Sequence, residues 1–369
     1  MIRRRIFAAS VLGIFIFFGF TWSEELSSQL SDEAFWKIIN DFSEPGGAFV
    51  SDNFVSNERT FQRVLTDLTA GRKARGVYLG VGPEQNFTYI AALKPKLAFI
   101  VDIRRQNLIE HLMYKAVLEL STDRVDFLSR LFSRARPPGL GKDPGVVELF
   151  DAFRTVEPSV TMYDENLNAV KNRLTKDHGF QLSAQDERAL EYVFGAFYTA
   201  GPNLSYSGAR TNRIMPTFEE VMLESDDQGE RRSYLATEEN FLTLQQLEKN
   251  NLVVPLVGDF AGPKAIRSVG AYLKEHNATV TAIYTSNVEQ YLFLNNSDSW
   301  KQYYANVAAL PLDPTSVFIR FNTDLGGYPL PTMSTNSRPV TLLCSVRSLL
   351  TALEDGNIAS YTDVFQVCK

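Results

Sequence analysis

What this chain lacks narrows it first. Three histidines, His111, His178 and His276, are scattered over 369 residues, and none stands at metal-ligand spacing from another. Two cysteines, Cys344 and Cys368, are too few to close a structural zinc site by themselves. No metal is expected. The sequence has no Gly-x-Ser-x-Gly elbow, no phosphate loop ending in Gly-Lys-Ser/Thr and no His-Glu-x-x-His. A serine hydrolase also needs a base, and His276 falls between a helix and a strand, at the wrong edge of a sheet for a site. Outside the N-terminus there is no basic block, and the formal net charge is −6. Nucleic-acid binding usually needs a clustered cationic face, so it is not expected. There is no internal repeat and no low-complexity tract.

What is present is ordinary globular material, 44% hydrophobic and 22% charged, long enough for one large or two modest domains. The N-terminus differs in kind. Arg3-Arg4-Arg5 precedes an uncharged apolar run from Ile6 to Trp22. A basic head and an apolar run form an export signal, with Thr21 and Ser23 flanking a cleavage after Ser23. That predicts a periplasmic or secreted chain. Cleavage would remove three arginines and no acids, taking −6 to −9. The second reading is an uncleaved anchor, although seventeen residues at about 1.5 Å each reach only about 26 Å. The membrane is then a partner only through residues 1–23. In an oxidising compartment Cys344 and Cys368 could pair and close a short loop, or they are two unrelated buried thiols.

The chain is organised around Gly76 to Leu120. Gly76-Val77-Tyr78-Leu79-Gly80-Val81-Gly82 is an apolar run that ends in glycines. Leu97-Ala98-Phe99-Ile100-Val101-Asp102 is a second run that ends in an acid. Such a pair opens a nucleotide- or S-adenosylmethionine-binding βαβ unit. Glycine at the end of the first strand permits a tight turn and a close ligand. Asp102, twenty residues after Gly82, stands where a carboxylate accepts from ribose hydroxyls. Both fingerprints are incomplete. The dinucleotide form wants glycine where Gln85 stands, and the methyltransferase form wants an acid at Tyr78 and a glycine at Glu84. A buried βαβ without a ligand is the plain alternative.

Around this unit the periodicity predicts a helix within Leu26 to Glu44, along the run Ser31 to Ile39 that opens with capping residues and is broken by Pro45-Gly46-Gly47. It predicts another through Leu68, and one from Asn107 with Leu108, Leu112, Met113, Ala116, Val117 and Leu120 on one core-facing stripe. The polar leader from Phe49 to Glu58 is read either as a lid over the site, through Asp52, Asn53, Asn57 and Glu58, or as a loop in which Ser56 and Asn57 cap a helix. Between about 133 and 251 the strand signal disappears and helical, aromatic-rich patterns replace it. Strands return at Leu252 to Asp259, Thr279 to Tyr284, Ser316 to Phe321 and Val340 to Cys344. Pro255 suits only a bulge or an edge register, because it cannot donate to a ladder. Gly262-Pro263 is expected to open a helix. The prediction is an α/β domain over 24–369, with a Rossmann-like, mostly parallel sheet and a helical insertion at about 133–251.

Polar residues recur at the predicted strand ends: Glu84 and Asn86, Asp102, Asp259, then Ser286, Asn287 and Glu289, with Arg104 just past the second strand. In open parallel sheets that edge is where ligands bind. Gly80, Gly82 and these residues are the candidate small-molecule site; no catalytic residue stands out. With Gly80-Val81-Gly82-Pro83-Glu84-Gln85-Asn86, Val101-Asp102-Ile103-Arg104-Arg105, Val257-Gly258-Asp259-Phe260-Ala261-Gly262 and Ser286-Asn287-Val288-Glu289-Gln290-Tyr291 in view, the chain resembles a poorly characterised bacterial family. Its members look like class I S-adenosylmethionine-dependent methyltransferases in fold. The resemblance spans roughly Leu26 to Phe321. It implies a seven-stranded class I sheet and S-adenosylmethionine as cofactor, with Gly80 to Gly82 facing the methionine part and Asp102 the ribose. Export conflicts with that cofactor, which is made and held in the cytoplasm. The expected function is therefore a methyltransferase-like protein that binds S-adenosylmethionine or a related nucleoside. The alternative is an exported, non-catalytic binding or interaction protein on a degenerate version of that fold.

Overall fold

The computed structural model describes residues 25–70, 76–206, 215–294, 298–322 and 340–368. The export segment lies outside them. Six strands form one sheet: β1 (Val77–Gly80), β2 (Leu97–Asp102), β3 (Val253–Val257), β4 (Val280–Ser286), β5 (Leu312–Asn322) and β6 (Val340–Ser345), in the order β3-β2-β1-β4-β5-β6. All neighbours run parallel except β5 and β6, which are antiparallel. The sheet is thus α/β and mostly parallel, as the sequence predicts, with six strands among the described residues where the resemblance implied seven. β1 to β3 and the central residues of β5 are buried on both faces, which is why they read as unbroken apolar runs. The chain winds outward from β1 through β2 to β3, then returns to β4 on the other side of β1. The strand order therefore reverses between β1 and β4, the place where open sheets leave a crevice.

Pro255 sits in β3, an edge strand, opposite Ile100. The Gly258 amide reaches the Asp102 carbonyl on β2, whereas the Val257 amide and carbonyl meet Ser43 and Glu44 on the outer side. By that alternation the Pro255 nitrogen points outward, where no ladder bond is lost.

Between β2 and β3 the described residues form helices, from Arg105–Leu120 to Glu238–Lys249, with two isolated bridges, Arg134 to Pro158 and Ser205 to Thr217. This layer changes the first helix after β2. Arg105–Leu120 is buried from Asn107 to Leu118 on every side, because the Ala184–Ala200 and Glu238–Lys249 helices cover the face opposite the sheet. A one-sided stripe was expected, yet Glu110, His111 and Lys115 are buried along with it. Arg105 turns away from the sheet edge to pair with Asp186, Nε to Oδ1 at 2.6 Å. Gly262-Pro263 does not begin a helix; that helix is Ala265–Glu275, and the first helix is Asp32–Phe42. Cys344 and Cys368 are disulfide-bonded, with Cα atoms 4.6 Å apart, and join the final helix Tyr361–Val367 to β6.

Candidate functional site

The site is built by the stretch that leads into β1. After the Asp32–Phe42 helix the chain crosses the carboxyl ends of the strands in spatial order. The Ser43 hydroxyl and the Glu44 amide bond to Val257 at the end of β3. Glu44 then caps the start of the Ala265–Glu275 helix, accepting from the amides of Lys264 at 2.7 Å and Ala265 at 2.8 Å, and from Asp259 at 3.1 Å. The anion-binding place at that helix start is therefore filled by the chain's own carboxylate. Gly47 donates to the Ile103 carbonyl just past β2, at 2.7 Å. The Asp52 carbonyl accepts from Arg104. Past β1, the Ser56 amide spans both Glu84 oxygens at 3.1 and 3.3 Å. Finally Glu58 reaches β4, where Tyr284 and Ser286 donate to it at 2.8 and 2.5 Å.

Beneath this strap lies a cavity of about 310 Å³. Small-molecule sites begin at about that size. Its wall includes Gly82, Asp102, Arg104, Asp259, Ser286 and Asn287 from the strand ends, and Asn53, Asn57 and Glu58 from the strap. Asp102 and Asp259 thus share one pocket. Three backbones on the wall are held in the left-handed region, Gly82 at φ +77°, Asn53 at φ +51° and Ser286 at φ +49°. Glycine takes that conformation freely, whereas serine does so at a cost, and such positions cluster at ligand sites.

Several candidates lie elsewhere. Gly80 does not line the cavity; a side chain there would strike Tyr78 and Asn86. Asn86 is buried beneath the turn, accepting from the Tyr78 hydroxyl at 2.8 Å and donating to the carbonyls of Val81, Gly82 and Pro83. Its part is to hold the turn. Glu84 is buried against the strap amide, and burial pushes its carboxyl up to about 8. Glu289 faces away from the cavity, in a buried ion pair with Arg320 at 2.6 Å that Tyr304 also joins. The Asp52 side chain accepts from Tyr192 at 3.0 Å outside the cavity wall. Ser56 and Asn57 cap no helix: the next helical turn is Phe61–Val64, preceded by Thr60.

The charged groups on the wall are unequally matched. Arg104 holds Asp102 in a fork, Nε to Oδ1 at 3.0 Å and Nη2 to Oδ2 at 2.9 Å, and its own amide adds a third bond at 2.9 Å. Burial works against the Arg104 charge, but Asp102 outweighs it and keeps the guanidinium above its ordinary value. Among the described residues Glu58 is held only by neutral donors, Tyr284, Ser286 and Gln85, the last at 2.9 Å. Burial lifts it to about 6 against the pull of those donors. Behind the Gly82 turn, His111 places Nε2 2.8 Å from the Gly82 carbonyl, and burial lowers its pKa to about 4. The neutral ring therefore donates there near pH 7, a support the scattered histidines did not suggest.

The sequence also gave no hint of the aromatic part of the wall. Phe49 meets Tyr291 edge to face at 5.4 Å, and Tyr206, Phe260 and Tyr284 complete the lining. Phe260 and Tyr291 lie in strings singled out for their polar members, and Phe49 opens the leader. Among the described residues no group of three or more His, Cys, Asp or Glu is placed to hold a metal. No described helix is long and apolar enough to cross a membrane.

An α/β protein with a pocket at its strand reversal is the class that fold and site define. The chain belongs to the family described as a domain of unknown function, DUF7790, which it matches over residues 53–138 and 149–347. No curated protein matches it.

Proposed function

We propose that this chain is a methyltransferase-like binding protein whose cavity takes an adenosyl compound, S-adenosylmethionine or a related nucleoside. The observation that carries the reading is the coincidence of the cavity with the strand reversal. The Gly82 turn, Asp102, Asp259 and Ser286 all open onto it from successive strand ends. Aromatic faces beside hydrogen-bonding groups suit a nucleobase and ribose. Asp102 keeps acceptor capacity beyond the Arg104 fork, because a carboxylate offers about four lone-pair sites. Tyr78 and Glu84, which stand in place of the methyltransferase acid and glycine, are both buried outside the cavity and leave it open.

Calorimetry with S-adenosylmethionine and S-adenosylhomocysteine tests this directly. Saturable binding of at least one is expected, and it should be lost in Asn57→Trp, which places a large ring in the wall. No saturable heat with either compound would end the adenosyl reading.

One observation favours a second reading, an exported binding protein without catalysis. The Cys344–Cys368 bond suits an oxidising compartment. Mass spectrometry of the mature N-terminus and of alkylated thiols tests it. A chain that begins after Ser23 with no free thiol supports export; an intact N-terminus with two free thiols in the native protein contradicts it.

A further inference from the structure

The cavity is short of positive charge. Arg104 is the only lysine or arginine on its described wall. Its guanidinium is committed to Asp102 and to the Asp52 carbonyl, and it lies 6.0 Å from the Phe49 ring centre. Neither Glu58 nor Asp259 forms an ion pair among the described residues. Around Glu58 stand the phenols of Tyr78, Tyr89, Tyr284 and Tyr361, the Ser286 hydroxyl and the Gln85 amide, and none of these is a cation. A buried carboxylate left without a counter-charge is costly, and a ligand that supplies the charge recovers that cost. Aromatic faces beside it attract the same kind of ligand, since the π face is the negative side of a ring.

We infer that the cavity selects an organic cation, with the positive centre seated between Glu58 and the aromatic wall. Resting on the adenosyl reading, this means that the pocket prefers the sulfonium of S-adenosylmethionine to the neutral thioether of S-adenosylhomocysteine. The two compounds differ there by one methyl group and one charge. No bond is made or broken; the discrimination is a matter of binding alone. The chain is thereby a receptor for the charged form, and it releases the ligand once that charge is gone.

The test is calorimetry with three probes, S-adenosylmethionine, S-adenosylhomocysteine and benzyltrimethylammonium, on the wild type and on Glu58→Gln. The glutamine keeps the size and removes the charge. A preference of about tenfold or more for the sulfonium is expected in the wild type, in line with a desolvated cation beside a carboxylate and rings. It should collapse in Glu58→Gln. In the wild type it should also shrink as pH falls from 7.5 through about 6, where Glu58 takes up its proton. The pH series needs no variant, so a poorly folding Glu58→Gln leaves the test intact. Equal affinity for the two adenosyl compounds overturns the inference and leaves the adenosyl reading standing. A preference that survives both Glu58→Gln and acid overturns the role of Glu58. Binding of benzyltrimethylammonium alone, lost in Glu58→Gln, supports the cation pocket and overturns the adenosyl reading. Binding of none of the three overturns both.

Discussion

The two rims of the cavity are built differently. Along β2 and at the helix that follows β3 the chain answers its own charges, Arg104 forking Asp102 and Glu44 occupying the start of the Ala265–Glu275 helix, while Asp259 has no ion pair among the described residues. Along β1 and β4, Glu58 on the wall and Glu84 buried behind it meet only neutral donors among the described residues. A paired rim holds its shape whether or not a ligand is present. Glu58, raised only to about 6, is a charged carboxylate near neutral pH without a counter-charge among the described residues. On the proposed reading a cationic ligand draws on that stored electrostatic free energy, whereas Glu84, raised to about 8, keeps its proton there. On the proposed reading the difference separates a rim held by its own pairs, where Asp102 keeps acceptor capacity for a ribose, from one that answers to a ligand's charge.

The comparison breaks most visibly at Arg104. Arg104→Ala leaves Asp102, only 5% exposed, without its cation. Removing one partner of a buried pair costs roughly 3–5 kcal/mol. Urea unfolding should show a loss of that size; a loss under about 1 kcal/mol would mean that the paired rim is not structural.

The buried acids on the opposite side should respond to pH. Burial holds Glu84 at about 8 against an ordinary 4.5. The folded chain then keeps a proton that the unfolded chain has released. That stabilising contribution is complete below about 4.5 and is lost as pH rises through about 8. Glu84→Gln should therefore be more stable than the wild type at pH 9 relative to pH 5, by up to ~4 kcal/mol at 1.4 kcal/mol per unit. Glu58 works in the same sense over a narrower window, up to about 6. Thermal melts across pH 5–9 measure the difference, and parallel curves for variant and wild type would contradict it.

The disulfide sits away from both rims and serves as the control. Cys344→Ser opens a bridge between positions 24 residues apart. The expected loss is ~3 kcal/mol of stability, with ligand affinity within about twofold. A large change in affinity would tie the C-terminal segment to the site. The smallest effect on stability belongs to Asn57→Ala. Asn57 lines the cavity and is only partly buried, so unfolding should shift by less than about 0.5 kcal/mol while adenosyl binding weakens. Unchanged binding would remove the strap from the recognition surface.

Much of the architecture was legible in the sequence because doubly covered parallel strands advertise themselves. Leu97 to Asp102 reads as a strand with the bounds it has, and Pro255 forced the choice of an edge or a bulge, which the edge position of β3 answers. The site was legible as a place more than as a set of contacts. Strand-end periodicity brought Gly82, Asp102, Asp259 and Ser286 together. It could not tell a residue that faces the crevice from one a step further round, so Gly80, Glu84, Asn86 and Glu289 were expected there as well. Whether a carboxylate is spent inside the chain depends on contacts between distant segments. Glu44 over Ala265 and Glu289 on Arg320 are pairings of that kind. The left-handed backbone of Ser286 leaves no trace in residue type, since serine rarely adopts it.

The most direct test of the central claim, that the crevice beneath the strap holds a small adenosyl molecule, is mass spectrometry of the small molecules released when the purified native protein is denatured. The account predicts an adenosyl compound released from the wild type, and its loss from Asn57→Trp prepared in the same way. Release of an unrelated molecule from the wild type, absent from Asn57→Trp, would contradict the adenosyl assignment. Equal recovery of an adenosyl compound from both proteins would contradict the cavity as its site.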